Sequence, residues 1–402
     1  MAAEPVPPPG AVAVPLWLAG VIGLAAIALF VVPVLAPAIA AETGLAPSLV
    51  GLYSGIVWAA AIVGSLYAGR LIARYGGWAL AQACLLLCAA GVALTVSGAP
   101  AALIAGAIVI GIGQGLEAPA AAHLLAGHVP PPRRPWLFSV KQSGSQVGGI
   151  VGAVLLPLIA VWIGWRGAAI AVVVLCAGGA LLLMAPRRRW PGEPPAGAAA
   201  PTHFGIASLL RQPGDLRRLA GAAAAFGATQ ICLNSFFVTY AVEVRGDPLA
   251  QAGRWFAALQ FGGLAGRLLL GWTAARLGIA GRLLRALGIA MTIGTATLGG
   301  FGAALPAWLL VPVVVVFGFA ASGWNGIFLA EIARLAPPTQ AGAATGAVMI
   351  VMTVGLVAGP LAFAAVAAAS SFGSAYLALT AIAALGTWLL PAAGGDAPPP
   401  GR

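Results

Sequence analysis

Twelve apolar stretches, each close to the length a helix needs to cross a bilayer, leave this chain few folds to choose from. A spanning helix takes about 20 predominantly apolar residues. Such stretches run approximately over 15–39, 48–68, 78–97, 100–123, 136–161, 167–185, 219–241, 251–272, 284–303, 306–332, 341–366 and 371–392. Charged residues make up 7% of the 402, against about 25% in a soluble protein, so the chain reads as an all-α integral membrane protein. One long polar interruption, 186–218, carries Arg187, Arg188 and Arg189, then a Pro- and Gly-rich piece, then Arg211, Arg217 and Arg218. The plan is an N-terminal tail 1–14, a six-helix bundle 15–185, a linker 186–218, a second six-helix bundle 219–392 and a C-terminal tail 393–402.

The arginines fix the expected orientation. With both termini cytoplasmic, 15 basic residues fall inside and 3, namely Arg166, Arg245 and Arg254, fall outside. With 19 arginines to one lysine and abundant Ala and Gly, a bias of GC-rich bacterial genomes, the chain is expected to be a multi-pass protein of a bacterial cytoplasmic membrane. The net charge of +11 is spread in short pieces between apolar runs, so no basic face is offered to a nucleic acid. The N-terminus lacks the basic segment of a cleaved signal peptide. The first run is therefore expected to remain as a helix. Cys84, Cys88, Cys176 and Cys232 all lie within apolar runs and read as free packing thiols. The sequence offers no nucleophile–base pair, phosphate loop or zinc spacing, so neither enzyme, cofactor nor metal is expected.

The chain also repeats itself. Gly69, Ala73, Arg74 and Gly76 recur as Gly271, Ala275, Arg276 and Gly278, each pair 202 residues apart, about half the chain. Two six-helix halves, a central basic loop and these spaced residues resemble the major facilitator superfamily, and the resemblance covers the whole chain. The family's signature between helices 2 and 3, and again between 8 and 9, is Gly-x-x-x-Asp-Arg-x-Gly. Here Gly69, Arg74, Gly76, Gly271, Arg276 and Gly278 match, while alanines 73 and 275 replace the acids. The resemblance implies a cytoplasmic gate at these residues whose usual charge latch is weakened or replaced. Two proton-antiporter signatures are broken, since Gly111 stands where the fourth-helix arginine would be and Ser145 where the fifth-helix proline would be.

Few ionisable residues lie within the runs, and a charge at mid-bilayer costs at least about 2.5–3.5 kcal/mol on insertion scales. Arg267 lies nine residues before Arg276, which at 1.5 Å per residue is roughly 13 Å deep. Guanidinium keeps its proton and grips carboxylates bidentately. The family resemblance agrees, because nitrate-type and oxalate-type facilitators are expected to place an anion-binding arginine four residues before the helix-8 signature glycine. The competing role is a structural pair with Glu117 or a cap on helix carbonyls. Lys141 and Gln142 open the fifth run in Lys141-Gln142-Ser143-Gly144, followed by Gly148-Gly149 and Leu155-Leu156-Pro157. That order resembles the cyanate/nitroimidazole porter group. As helices 5 and 8 are neighbours in the superfamily, Lys141 is expected either to join Arg267 at the cavity or to snorkel to water.

Glu117 is the proton-coupling candidate, or else the neutralising partner of Lys141. Glu331, three residues before Arg334, is expected in a gate pair. Gln230, Asn234, Gln260 and Asn325 supply uncharged polar groups on cavity-facing runs, each also suited to an interhelix contact. Glycines 144, 148 and 152 fit close helix packing. The expected function is secondary active transport, by alternating access, of a small monocarboxylate or cyanate/nitrate-like anion by a monomer in lipid, with a proton as possible co-substrate. The alternative is proton-coupled efflux of drugs or amphipathic compounds. A facilitator-like sensor and an intramembrane enzyme fit less well, for want of a soluble output domain and of a catalytic constellation.

Overall fold

The computed structural model describes residues 12–130, 133–190, 214–277, 279–336 and 341–391. The tails and most of the linker lie outside these. In order the long helices are α1 (Ala13–Thr43), α2 (Val50–Tyr75), α3 (Gly77–Thr95) and α4 (Pro100–His128). The helical stretch Arg134–Leu182 breaks at Ile163 and Gly164 into α5 (134–162) and α6 (165–182). Then come α7 (Gly214–Glu243), α8 (Leu249–Leu277), α9 (Ala280–Phe301), α10 (Ala307–Leu335), α11 (Ala341–Ala369) and α12 (Phe372–Leu389). Among the described residues ten helical spans, the broken one counted once, are long and apolar enough to cross a membrane. Dividing that span at its break and adding α8 gives twelve.

Lipid forces this economy, since every backbone polar group must be satisfied within its own helix. Helix ends are set by glycines in the left-handed region. Gly76, at φ 84°, turns α2 into α3, and Gly164, at φ 75°, turns α5 into α6. Large apolar side chains such as Leu66, Trp162, Phe301, Trp308 and Trp388 remain exposed, which suits a surface that faces lipid. Trp165 is buried instead, and its Nε1 donates to Glu42 Oε2 at 2.7 Å.

Close packing relies on glycine. A Cβ at Gly144 would overlap the Ala19 carbonyl, and one at Gly148 that of Gly23, so α1 and α5 touch backbone to backbone. In the second half Gly355 meets Ala224 and Gly359 meets Ala228, which joins α11 to α7 in the same manner. The α2–α4 contact is duplicated position by position. Gly64 meets Ile112 as Gly266 meets Phe319, and Gly111 meets Val57 as Gly318 meets Leu259. The α2 and α8 members are 202 residues apart in both cases, and the α4 and α10 members 207. The repeat seen in the signature glycines is therefore a repeat of helix packing.

The halves meet on the side of the molecule away from the linker. Gly51 of α2 abuts Pro360 and Ala364 of α11, and Gly253 of α8 abuts Ala153 and Pro157 of α5. Ser54 and Ser235 share a buried hydroxyl hydrogen bond of 2.8 Å. Phe30 packs edge-on against Phe256 with ring centres 5.4 Å apart.

Candidate functional site

A cavity of about 620 Å³ opens between the halves. Its walls are Ala122, Leu125 and Ala126 of α4, Phe138, Ser139 and Gln142 of α5, Arg267 of α8, and Asn325, Gly326 and Leu329 of α10. All ten lie in the linker-side halves of their helices, so the cavity belongs to the side opposite the closed interface. A smaller apolar crevice of about 100 Å³ between α1, α2 and α4 has no charged lining.

Arg267 is the one charged side chain among the described residues of this wall. It sits ten residues from the α8 end at Leu277, about 15 Å along the axis at 1.5 Å per residue. Its side chain is half-buried, and its Nε is buried without a hydrogen-bond partner. No carboxylate among the described residues lies within ion-pair distance of it. An unbalanced guanidinium in a membrane cavity attracts anions, with a planar fork suited to carboxylates.

Lys141 is placed elsewhere. It is fully buried between α5 and α4 and does not line the cavity. Its Nζ lies 2.6 Å from Glu117 Oε1 and donates to Glu117 Oε2 at 2.8 Å. It also donates to Gln142 Oε1 at 2.8 Å and lies 5.6 Å from the centre of the Phe138 ring. An ammonium taken out of water is tolerated only with a close counter-charge, and Glu117 supplies it. The two charges therefore cancel within the wall, leaving Arg267 as the net cation.

The polar residues fall into two groups. Gln142 and Asn325 line the cavity, and Asn325 Nδ2 donates to Gln230 Oε1 at 3.3 Å and to the Ser322 carbonyl at 3.2 Å. Asn234 is half-buried one turn from Gln230. Gln260 belongs to a second group, away from the cavity wall. It is fully buried on Gly149 of α5, where a Cβ would overlap its amide nitrogen. Gln146 packs in the same way on Gly263 of α8. The contact is reciprocal, formed by Gln146-x-Gly148-Gly149 on one helix and Gln260-x-Gly262-Gly263 on the other. Gln146 did not stand out as a site residue in the sequence, yet this repeated Gln-x-Gly-Gly was a legible signal.

At the linker-side ends, Glu331 is buried and takes two bonds from Arg334, at 2.5 and 2.9 Å. Arg74 stacks over the Tyr75 ring at 5.2 Å, while Gly69 faces open space. Gly271 and Arg276 belong to α8, but their side chains are outside the described residues, as is Gly278 altogether. On the opposite side Arg166 pairs with Glu42, and Arg245 pairs with Asp247 at 2.9 Å. Among the described residues no group of three His, Cys, Asp or Glu forms a metal site.

Residues 16–360 match the family described as the Major Facilitator Superfamily. The chain belongs to that superfamily. Its fold is shared with solved transporters of low sequence identity. A bacterial homologue of the human lysosomal transporter Spinster, in an inward-facing and occupied conformation, is 17% identical, with TM-score 0.70 and 94% of each chain covered. The nucleoside transporter NupG is 14% identical, with TM-score 0.76, over 95% of this chain and 100% of that one. The peptide transporter POT, in complex with sulfate, is 16% identical, with TM-score 0.74, over 95% and 94%. No curated protein matches the chain in sequence. This facilitator is thus a multi-pass membrane transporter of a small molecule.

Proposed function

We propose that this facilitator moves a small monocarboxylate anion across a bacterial cytoplasmic membrane by alternating access, with the linker side facing the cytoplasm. Arg267, unpaired and half-buried in the wall of the cavity, carries this reading. The arginine count favours the orientation, since the side away from the linker keeps Arg166 and Arg245 neutralised by Glu42 and Asp247. In the conformation described, the anion exchanges with the cytoplasm. Rocking of the halves would close the linker side and open the Gly51–Pro360 and Gly253–Ala153 contacts.

Arg267 binds the carboxylate, Gln142 and Asn325 complete its polar surround, and Phe138, Leu125 and Leu329 face its carbon body. Lys141 acts through Gln142. Glu117 is the counter-ion of Lys141, and a co-transported proton would have to replace that ammonium as its partner.

The test is a thermal-shift titration of purified protein with small carboxylates, alongside Arg267→Gln and Arg267→Lys. A ligand at a hundred times its Kd raises stability by about 2.7 kcal/mol. Wild type should gain this shift, Arg267→Gln should lose it, and Arg267→Lys should keep a weaker one for want of the planar fork. Stabilisation of wild type and Arg267→Gln alike by bulky amphipathic cations would replace anion transport with drug efflux.

A further inference from the structure

We infer that, granted this anion site, the cargo is a hydroxy-monocarboxylate, an anion bearing a hydrogen-bond donor of its own. The inference rests on the orientation of two amides. An amide's oxygen and nitrogen are assigned from their partners, and here each decisive partner has a single role. Lys141 Nζ can only donate, so the Gln142 atom 2.8 Å from it is the oxygen. Among the described residues the Gln142 NH2 has no partner, and it lies on the cavity wall. The Ser322 carbonyl can only accept, so the Asn325 atom 3.2 Å from it is the nitrogen. That nitrogen also donates to Gln230 at 3.3 Å, which leaves Asn325 Oδ1, among the described residues, as a free acceptor.

Beside the Ser139 hydroxyl, which is itself engaged, the wall therefore offers one cation, one neutral donor and one free acceptor. The cation and the donor suit a carboxylate. The acceptor does not, because a carboxylate oxygen set against Asn325 Oδ1 would meet another lone pair. A hydroxyl fills that place, donating to Asn325 while the carboxylate sits on Arg267 and Gln142. The charge balance fits a monoanion, since Lys141 is cancelled by Glu117 at 2.6 Å. Phe138, Leu125 and Leu329 favour an organic body over an inorganic oxyanion.

The experiment is calorimetric titration of the purified full-length protein with matched pairs, lactate against propionate and 3-hydroxybutyrate against butyrate. Bicarbonate, which has charge and hydroxyl but no carbon chain, is the inorganic arm. In wild type the hydroxy member of at least one pair should bind about tenfold or more tighter, the effect of one hydrogen bond made or missed. Asn325→Ala should bring that hydroxy acid down to its partner's affinity and leave the partner unchanged. Gln142→Leu should weaken both by one factor. Equal binding within both pairs by wild type overturns the inference, as does a preference that survives in Asn325→Ala. Tighter binding of bicarbonate than of any hydroxy acid overturns its organic part. If no carboxylate binds and Arg267→Gln changes nothing, the underlying anion reading has failed instead. The wild-type comparison decides even where a variant does not fold.

Discussion

Arg267 and Lys141 are both cations inside apolar helices, and the difference between them is a partner. Lys141 has Glu117 at 2.6 Å and is fully buried, whereas Arg267 has none and faces the cavity. Removing one member of a buried pair costs about 3–5 kcal/mol, while replacing both with apolar groups is often neutral. Glu117→Gln should therefore lower the thermal unfolding midpoint sharply, and replacing the pair instead by Glu117→Leu with Lys141→Met should avoid most of that loss. A midpoint unmoved by Glu117→Gln would mean that the pair contributes nothing to stability. The depth of Arg267 was legible from its spacing to Arg276. The pairing of Lys141 with Glu117 was legible only as one of two roles for that carboxylate, because a side chain's direction depends on a partner 24 positions away on another helix. The amide orientations lay further out of reach, since each needed a bond seen in three dimensions.

Apolar runs and glycine turns mark the helices in the sequence, though the ends can differ, most of all in α2, whose run stops at 68 and whose helix continues to Tyr75. The α5–α6 break falls between the two apolar runs ending at 161 and starting at 167, at Ile163 and Gly164. Helix α1 continues past its apolar stretch to Thr43, because backbone bonding persists until Gly44, at φ 72°, ends it. Helix contacts built on glycine leave little room for a side chain. Gly148→Leu should destabilise the α1–α5 contact by about 1–3 kcal/mol of overpacking, read as a lower unfolding midpoint in detergent. At the α5–α8 contact, Gly149→Leu should displace the Gln260 amide and wedge the halves apart on the side away from the linker. Spin labels at those ends of α5 and α8 would report a longer distance. An unchanged distance would show that the contact has slack.

Taken whole, the molecule is a duplicated fold with an unduplicated site. The packing of α2 on α4 returns residue for residue in α8 on α10. The position 202 residues before Arg267 is Ser65, and the position 207 before Asn325 is Ala118. The arginine and the asparagine of the cavity wall thus have no counterpart in the first half. The overall fold was readable because lipid allows so few solutions. The open side of the cavity was not, because every conformation of the cycle shares one sequence. The orientation can be tested in cells. The native cysteines are buried, so a cysteine at exposed Ser97 or Ser371 should react with an impermeant maleimide from outside, and one in the linker should not. The reverse pattern would invert the topology.

The paired glutamines of α5 and α8 bear on how readily the empty protein changes state. Both amide atoms of Gln260 and the nitrogen of Gln146 are buried without hydrogen-bond partners. Parting the helices here breaks no hydrogen bond at these atoms and lets water satisfy three of them, each otherwise costing about 1–3 kcal/mol. The contact holds by shape, and hydration favours its release. In the proposed cycle this seam therefore opposes opening less than a hydrogen-bonded one would, with or without cargo.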